Sequence, residues 1–340
     1  MPSPLRGGFG RGWRITLPPS PNPSHPGRGN QREDNLMLKL KNIFLVFIFL
    51  GLWCSNSQAE EKKLNIVTTQ TIFADLVKQL GGDKVNVKAI ASPKFNIHFI
   101  QPTPSDVRAV TKADLYVNAG LDLEAWSDPL LEAVGNPELF RGRPRNVDLS
   151  SGITLLNVPT HVSRSEGDLH LFGNPHFQMN PENLKIMART LVERLKIFDP
   201  QNAEYYEQNA QSFLKNLETK IEEWKNLCSH CRGQEILSYH EDIAYFAQFL
   251  GLKSEQFLEP KPGVPPTPQH LVFLEGYVKK NQIKAIVMPT YYPRAEANKL
   301  ASKLGIKVVT ICQGVGELPN TDNIITFFDY NVKAIQEALK

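Results

Sequence analysis

Residues 202–226 read NAEYYEQNAQSFLKNLETKIEEWKN, and the fold turns on them. Tyr206, Phe213, Leu214, Leu217, Ile221 and Trp224 recur every three or four residues, and neither Gly nor Pro interrupts the run. That is the pattern of a single helix with one apolar stripe. At about 1.5 Å per residue such a helix spans roughly 37 Å, enough to run along one side of a molecule and join two lobes. An ordinary long surface helix has the same pattern, so the flanking sequence decides between the two.

On the N-terminal side, strands are expected at Leu64–Val67, Val85–Ile90, Leu115–Asn118 and Ile153–Val158. Helices are expected at Ile72–Leu80, Pro104–Thr111, Glu124–Val134 and Pro181–Phe198. Beyond residue 226 the alternation resumes, with strands at Ile236–Tyr239, Ala285–Met288 and Val308–Ile311. The helices there are Asp242–Leu250, Pro268–Lys280, Arg294–Leu304 and Ile324–Leu339. A βα rhythm implies parallel sheets. The expected architecture is α/β, with an N-terminal lobe at 60–200, a linking helix at 201–226 and a C-terminal lobe at 227–340.

The amino terminus holds two unlike pieces. Residues 1–36, rich in Pro, Gly and Arg without hydrophobic periodicity, read as a disordered or untranslated extension. From Met37, Lys39 and Lys41 precede the apolar run Ile43–Trp53, and Ser57-Gln58-Ala59 offers small residues for cleavage, so 37–59 reads as a signal peptide. The apolar run is shorter than the about 20 residues of a membrane span. Cys54 offers a lipoprotein anchor, disfavoured against cleavage after Ala59 because Trp53 stands where a small residue is needed. Export places the chain in the periplasm or otherwise outside the cytoplasm. In that oxidising setting Cys228 and Cys231 are expected to close a local disulfide.

The net charge of +3 conceals an imbalance: residues 1–59 hold seven Lys or Arg against two acids, leaving 31 bases against 33 acids beyond. With no basic run or aromatic-interleaved basic patch, a nucleic-acid partner is not expected.

Three of the eight histidines, His98, His176 and His240, fall in loops just before helices. In open parallel sheets such loops border the crevice where ligands bind. The loop after His98 ends on Thr103, Pro104 and Asp106, which suit the cap, first position and capping box of a helix. His176 sits with His170 in the turn-rich stretch 167–183. One such histidine reads as structural; three at equivalent positions read as a divided metal site.

Three ordered segments carry a family resemblance: His98-Phe-Ile-Gln-Pro-Thr-Pro-Ser-Asp106, Gly173-Asn-Pro-His-Phe-Gln-Met-Asn-Pro-Glu-Asn183 and Ser238-Tyr-His-Glu-Asp-Ile-Ala-Tyr-Phe-Ala247. With Phe328-Asp-Tyr-Asn-Val332, the region Lys63 to Lys340 resembles the zinc and manganese group of substrate-binding proteins of ABC transporters. The resemblance implies two α/β lobes joined by one long rigid helix, with the metal in the interlobe cleft. His98 and His176 would come from the first lobe and His240 from the second. It also implies delivery, as a monomer, to a membrane permease with a cytoplasmic ATPase.

Family members usually add an acidic ligand from a loop after a late strand. Here that loop reads Thr310-Ile-Cys-Gln-Gly-Val-Gly316, which puts Cys312 or Gln313 near the position. Glu259, in Leu258-Glu-Pro-Lys-Pro-Gly263, and water are the favoured alternatives. Three neutral imidazoles suit Zn2+ as the transported ligand, whereas Mn2+ prefers more oxygen. His161, Glu166, Asp168 and His170 stand where zinc-selective members carry a His-rich acidic insertion, and they read as its flank. Two rivals are a zinc hydrolase with Glu241 as base and a surface adhesin using zinc structurally. The first lacks a second His four residues after His240, where Ala244 stands.

Overall fold

Two parallel sheets organise the unit Glu61–Lys340. The first runs β2-β1-β3-β4, with β1 Leu64–Thr68, β2 Val85–Ala89, β3 Leu115–Asn118 and β4 Asn146–Asp148. The second runs β5-β6-β7, with β5 Leu237–Ser238, β6 Ala285–Pro289 and β7 Lys307–Ile311. β3 and β6 are buried along their whole length, as strands covered on both faces must be, whereas the edge strand β2 alternates.

The computed structural model describes residues 36–41, 62–159, 170–261 and 263–340. Residues 36–41 are helical and belong to a separate unit, Met1–Glu60. The rest of the expected extension and signal segment, with Cys54 and Ala59, lies outside the described residues, as do His161, Glu166 and Asp168.

The helices of the main unit are α1 Thr71–Gly81, α2 Pro104–Thr111, α3 Ser127–Val134, α4 Pro181–Phe198, α5 Ala203–Leu227, α6 Ala244–Leu250, α7 Pro268–Asn281, α8 Ala295–Leu304 and α9 Ile324–Leu339. α5, 25 residues long, joins the lobes. It buries Tyr206, Ala210, Phe213, Leu217, Ile221 and Trp224 along one stripe, each large side chain contributing about 1.5–3 kcal/mol.

That stripe lies in one continuous core shared by both sheets, which contains Ile66 and Val117 of the first and Val287 and Ile311 of the second. Separate cores fill the outer faces, around Tyr116 and Trp126 in one lobe and Leu274 and Met288 in the other. Polar bonds fasten α5 at both ends: Asn209 Nδ2 donates to the Leu80 carbonyl at 3.0 Å, and Trp224 Nε1 donates to Asp329 at 2.8 Å. Just past α5 the buried Cys228 and Cys231 form a disulfide across a single tight turn.

Three local expectations are corrected. The fourth strand is Asn146–Asp148, not Ile153–Val158. The apolar run at 153–158 has its backbone satisfied elsewhere: the Leu156 amide donates to the Tyr245 hydroxyl at 3.0 Å and its carbonyl accepts from the Asn174 amide at 2.8 Å. The helix expected from Glu124 begins at Ser127, because the Glu124 carboxylate is buried and accepts from Thr69, Gln70 and the Ala119 amide. The strand expected over Ile236–Tyr239 shortens to Leu237–Ser238.

Where the lobes meet, Gly314 lies so close to the first lobe that a Cβ would stand 2.8 Å from the Pro93 Cβ and 2.9 Å from Thr71 Oγ1. Gly276, inside α7, has nothing within 4 Å of its Cβ position. Gly314→Ala is therefore expected to destabilise by about 1–3 kcal/mol through overpacking. Gly276→Ala should stabilise by about 0.5–1 kcal/mol through helix propensity. Urea denaturation of both variants checks the contrast.

Candidate metal centre

Each of the three loop histidines is positioned by its own short-range bonds. His98 lies in the turn Ile97–Phe99; Asn96 Oδ1 accepts from its backbone amide at 3.0 Å, and Trp126 Nε1 donates to the Ile97 carbonyl at 2.7 Å. Its ring also bonds the Leu123 backbone. The loop ends on the capping box of Thr103 and Asp106 that opens α2.

His176 follows Gly173, whose φ of 114° is strained for any side chain and whose Cβ would meet the Leu156 carbonyl at 3.0 Å. Asn174 Oδ1 accepts from the His176 amide at 2.9 Å. After the turn Phe177–Met179, Asn180 caps α4 and Pro181 opens it. His240 lies one residue beyond the end of β5, after Tyr239, and is backed by the stacked pair Tyr239 and Tyr292, with ring centres 4.1 Å apart.

The three side chains converge from two lobes: one nitrogen of each lies within 4.8 Å of the others. His98 Nε2 and His176 Nε2 are 3.3 Å apart, a pair of one half-buried and one buried imidazole that needs a proton or a cation between them. Two nitrogens bound at about 2.0–2.1 Å to one tetrahedral zinc stand about 3.3–3.4 Å apart, so the spacing fits such an ion.

The electrostatics favour a ready ligand set. Burial, then the neighbouring His170 and His240, pushes the His98 imidazole down to about 3. Burial and the other histidines hold His176 well below the usual histidine range. Burial also works to lower His240, but the hydrogen bond it donates to Glu259 and the charges of Asp242, Glu259 and Glu241 outweigh it and raise it.

Among the other residues singled out from sequence, Glu259 Oε2 lies 3.0 Å from His240 Nδ1, which turns Nε2 of that ring to the cluster. Cys312 is fully buried behind Asn331, its thiol pushed up to about 12 by burial and by Glu317. Gln313 lines a different cavity, with Gln70, Thr71, Gln178 and Tyr291. Glu241 accepts from Asn157 of the opposite lobe at 3.0 Å. His270 bonds the Phe257 carbonyl, away from the cluster.

Two residues gain importance that sequence reasoning did not give them. His170, read as flank, stacks on His98 with ring centres 5.0 Å apart and lines one cavity with His98, His240 and Glu259. Asn174 uses a single buried carboxamide to link two histidine-bearing loops, accepting from His176 N and donating through Nδ2 to the Glu241 carbonyl at 2.8 Å. Its backbone carbonyl also accepts from the Tyr245 hydroxyl at 2.9 Å. A signal existed only for His170, in its six-residue spacing from His176; nothing local marks an amide as an interlobe tie.

Comparison with known proteins gives concordant findings. The family model described as zinc-uptake complex component A, periplasmic, matches residues 66–338. The zinc-binding lipoprotein AdcA of Streptococcus pneumoniae is 26% identical over 312 residues, covering 89% of this chain; the chain spans only 60% of that relative's length. The manganese ABC transporter substrate-binding lipoprotein PsaA of Streptococcus pneumoniae is 26% identical over 256 residues, covering 72% of this chain and 78% of that protein. A crystal structure of ZnuA superposes with a TM-score of 0.68 at 22% identity, covering 82% of this chain and 98% of that one, a likeness of fold.

The Asn174 tie yields a direct expectation. Asn174→Asp keeps the acceptor for the His176 amide but sets a carboxylate oxygen against the Glu241 carbonyl, an unsatisfied buried contact costing about 1–3 kcal/mol. Urea denaturation of the metal-free variant should show stability reduced by about 1–3 kcal/mol.

Proposed function

The chain belongs to the family of periplasmic zinc-uptake complex component A, and from that premise we propose that it captures a divalent transition metal, zinc before manganese, outside the cytoplasmic membrane. The metal is cargo, handed to an ABC permease driven by a cytoplasmic ATPase. The family is a transport component, so no reaction is assigned. Glu241, the base a hydrolase would need, is engaged by Asn157 across the cleft.

The observation that carries this reading is the convergence of three imidazoles drawn from both lobes. His98, His176 and His240 are the proposed ligands, with Glu259 holding His240 by its Nδ1. An all-nitrogen set favours zinc over manganese, which prefers oxygen donors. A ligand set divided between lobes loses affinity when they separate, so a permease that parts them releases the ion.

Extracytoplasmic location follows from the family. For the finer choice, AdcA and PsaA carry the word lipoprotein in their names, which gives Cys54 as strong a claim as cleavage after Ala59. Palmitate labelling in cells decides: incorporation lost in Cys54→Ser means a tether, and absence of label from the unaltered chain means a soluble protein.

Titration of metal-free protein with Zn2+ and Mn2+ tests the main reading. His98→Ala, His176→Ala and His240→Ala should each weaken zinc by more than the roughly 10- to 100-fold expected of an outer partner. Unchanged zinc affinity in all three would end the proposal. A bound ion competes with protons for imidazole nitrogen. With His98 at about 3 and His176 held low, His240 alone is protonated to a large degree near pH 6. Calorimetry in buffers of different ionisation heat should therefore report release of about one proton per zinc near pH 6, falling towards zero as pH rises through the His240 pKa.

A further inference from the structure

Behind the histidine loops the lobes enclose a second cavity, lined by Gln70, Thr71, Ile97 and Gln178 of the first lobe and by Tyr291 and Gln313 of the second. We propose that it is a hydration site, in which bound water bridges Gln313 to Gln178 and Thr71 and clasps the seam between the lobes. Its bearing on metal release rests on the metal-capture reading.

Three buried side-chain atoms of residues on the wall of this one cavity, Thr71 Oγ1, Gln178 Oε1 and Gln313 Nε2, have no hydrogen-bond partner among the described residues. A buried polar atom left unpaired is costly, and native interiors satisfy such atoms with ordered water where no protein group reaches them. The set is complementary to water: the Gln313 amide donates, the Gln178 carbonyl accepts, and the Thr71 hydroxyl does either. The cavity has room for about two water molecules, and a buried water takes two to four polar partners. Two other polar groups on the wall are already engaged, since Gln70 Nε2 donates to Glu124 at 3.0 Å and the Tyr291 hydroxyl donates to Asp242 at 3.4 Å.

The seam beside the cavity is tight. A Cβ on Gly314 would stand 2.8 Å from the Pro93 Cβ and 2.9 Å from Thr71 Oγ1, yet Gln313 and Gln178 stop short of a direct bond. Glu317 braces the loop that carries Gln313, its Oε2 accepting from the Gln313 and Gly314 amides at 2.6 and 3.3 Å. Ile97 precedes His98, and Gln178 follows His176 by two residues. Parting the lobes to free a metal therefore also breaks the water bridge.

A crystal structure of the full-length protein with the lobes in contact at Gly314, at a resolution that shows solvent, tests the site itself. The expected result is a water within about 2.7–3.2 Å of both Gln313 Nε2 and Gln178 Oε1. A cavity without one, or a direct bond between the two glutamines, would overturn the proposal. Zinc dissociation into excess chelator tests the clasp. Gln178→Met and Gln313→Met, close to glutamine in shape but apolar, should each release zinc about 2- to 12-fold faster, as fits the loss of one net hydrogen bond. The double variant should be no faster than the quicker single, because both singles break the same bridge. Unchanged rates in both singles, or effects that multiply in the double, would sink the clasp. Failure of the capture reading looks different: zinc binding would be indifferent to His98→Ala and His240→Ala, while the solvent density would still decide the hydration site.

Discussion

The structure depends on one continuous apolar core that runs along α5 and belongs to both lobes. Two lobes joined by an ordinary surface linker would move independently, and histidines on opposite sides would meet only by chance. Here Tyr206, Phe213, Leu217, Ile221 and Trp224 are packed into the same core as both sheets, so the reach between the first-lobe loops and His240 is limited by rigid packing. The polar ties across the cleft, Asn174 to Glu241, Tyr245 to Asn174 and Leu156, and the Asp75 carboxylate to the Ile324 amide, refine a distance the core has already narrowed.

Within that frame the electrostatics are asymmetric. His98 and His176 are held neutral chiefly by burial, at the cost of any charge they might share. His240 is backed by carboxylates, and the buried Asp242 beside it is itself pushed up to about 6 by desolvation, with the Glu259 charge adding to the rise. Negative charge thus sits behind the second-lobe histidine, outside the ring of nitrogens. Glu259 illustrates the point: its carboxylate oxygen Oε2 stands 3.0 Å from His240 Nδ1.

Much of the fold was legible because its elements are strongly periodic. The stripe of α5, the largely apolar β3 and β6, and the cap signals at Thr103 and Pro181 are local, and local physics was enough to find them. The errors fell where a nonlocal bond replaced a ladder or a cap. Ile153–Val158 has the composition of a strand, yet Tyr245 and Asn174 take its hydrogen bonds; Asn146–Asp148 lacks that composition, yet β3 pairs with it. Glu124 looks like a helix starter until its carboxylate is seen buried among Thr69, Gln70 and Ala119.

The sequence by itself determined the class, the two sheets, the spine and the three loop histidines, because hydrophobic period, turn residues and position before a helix are properties of short stretches. Tertiary structure alone decided which side chains share a space. It brought His170 from the flank onto the face of His98, turned Glu259 to His240 Nδ1, and sent Cys312 and Gln313 elsewhere. The reason is physical: a site assembled from loops on two lobes is set by the packing between them, and no stretch of chain records the distance to a residue that lies dozens of positions away.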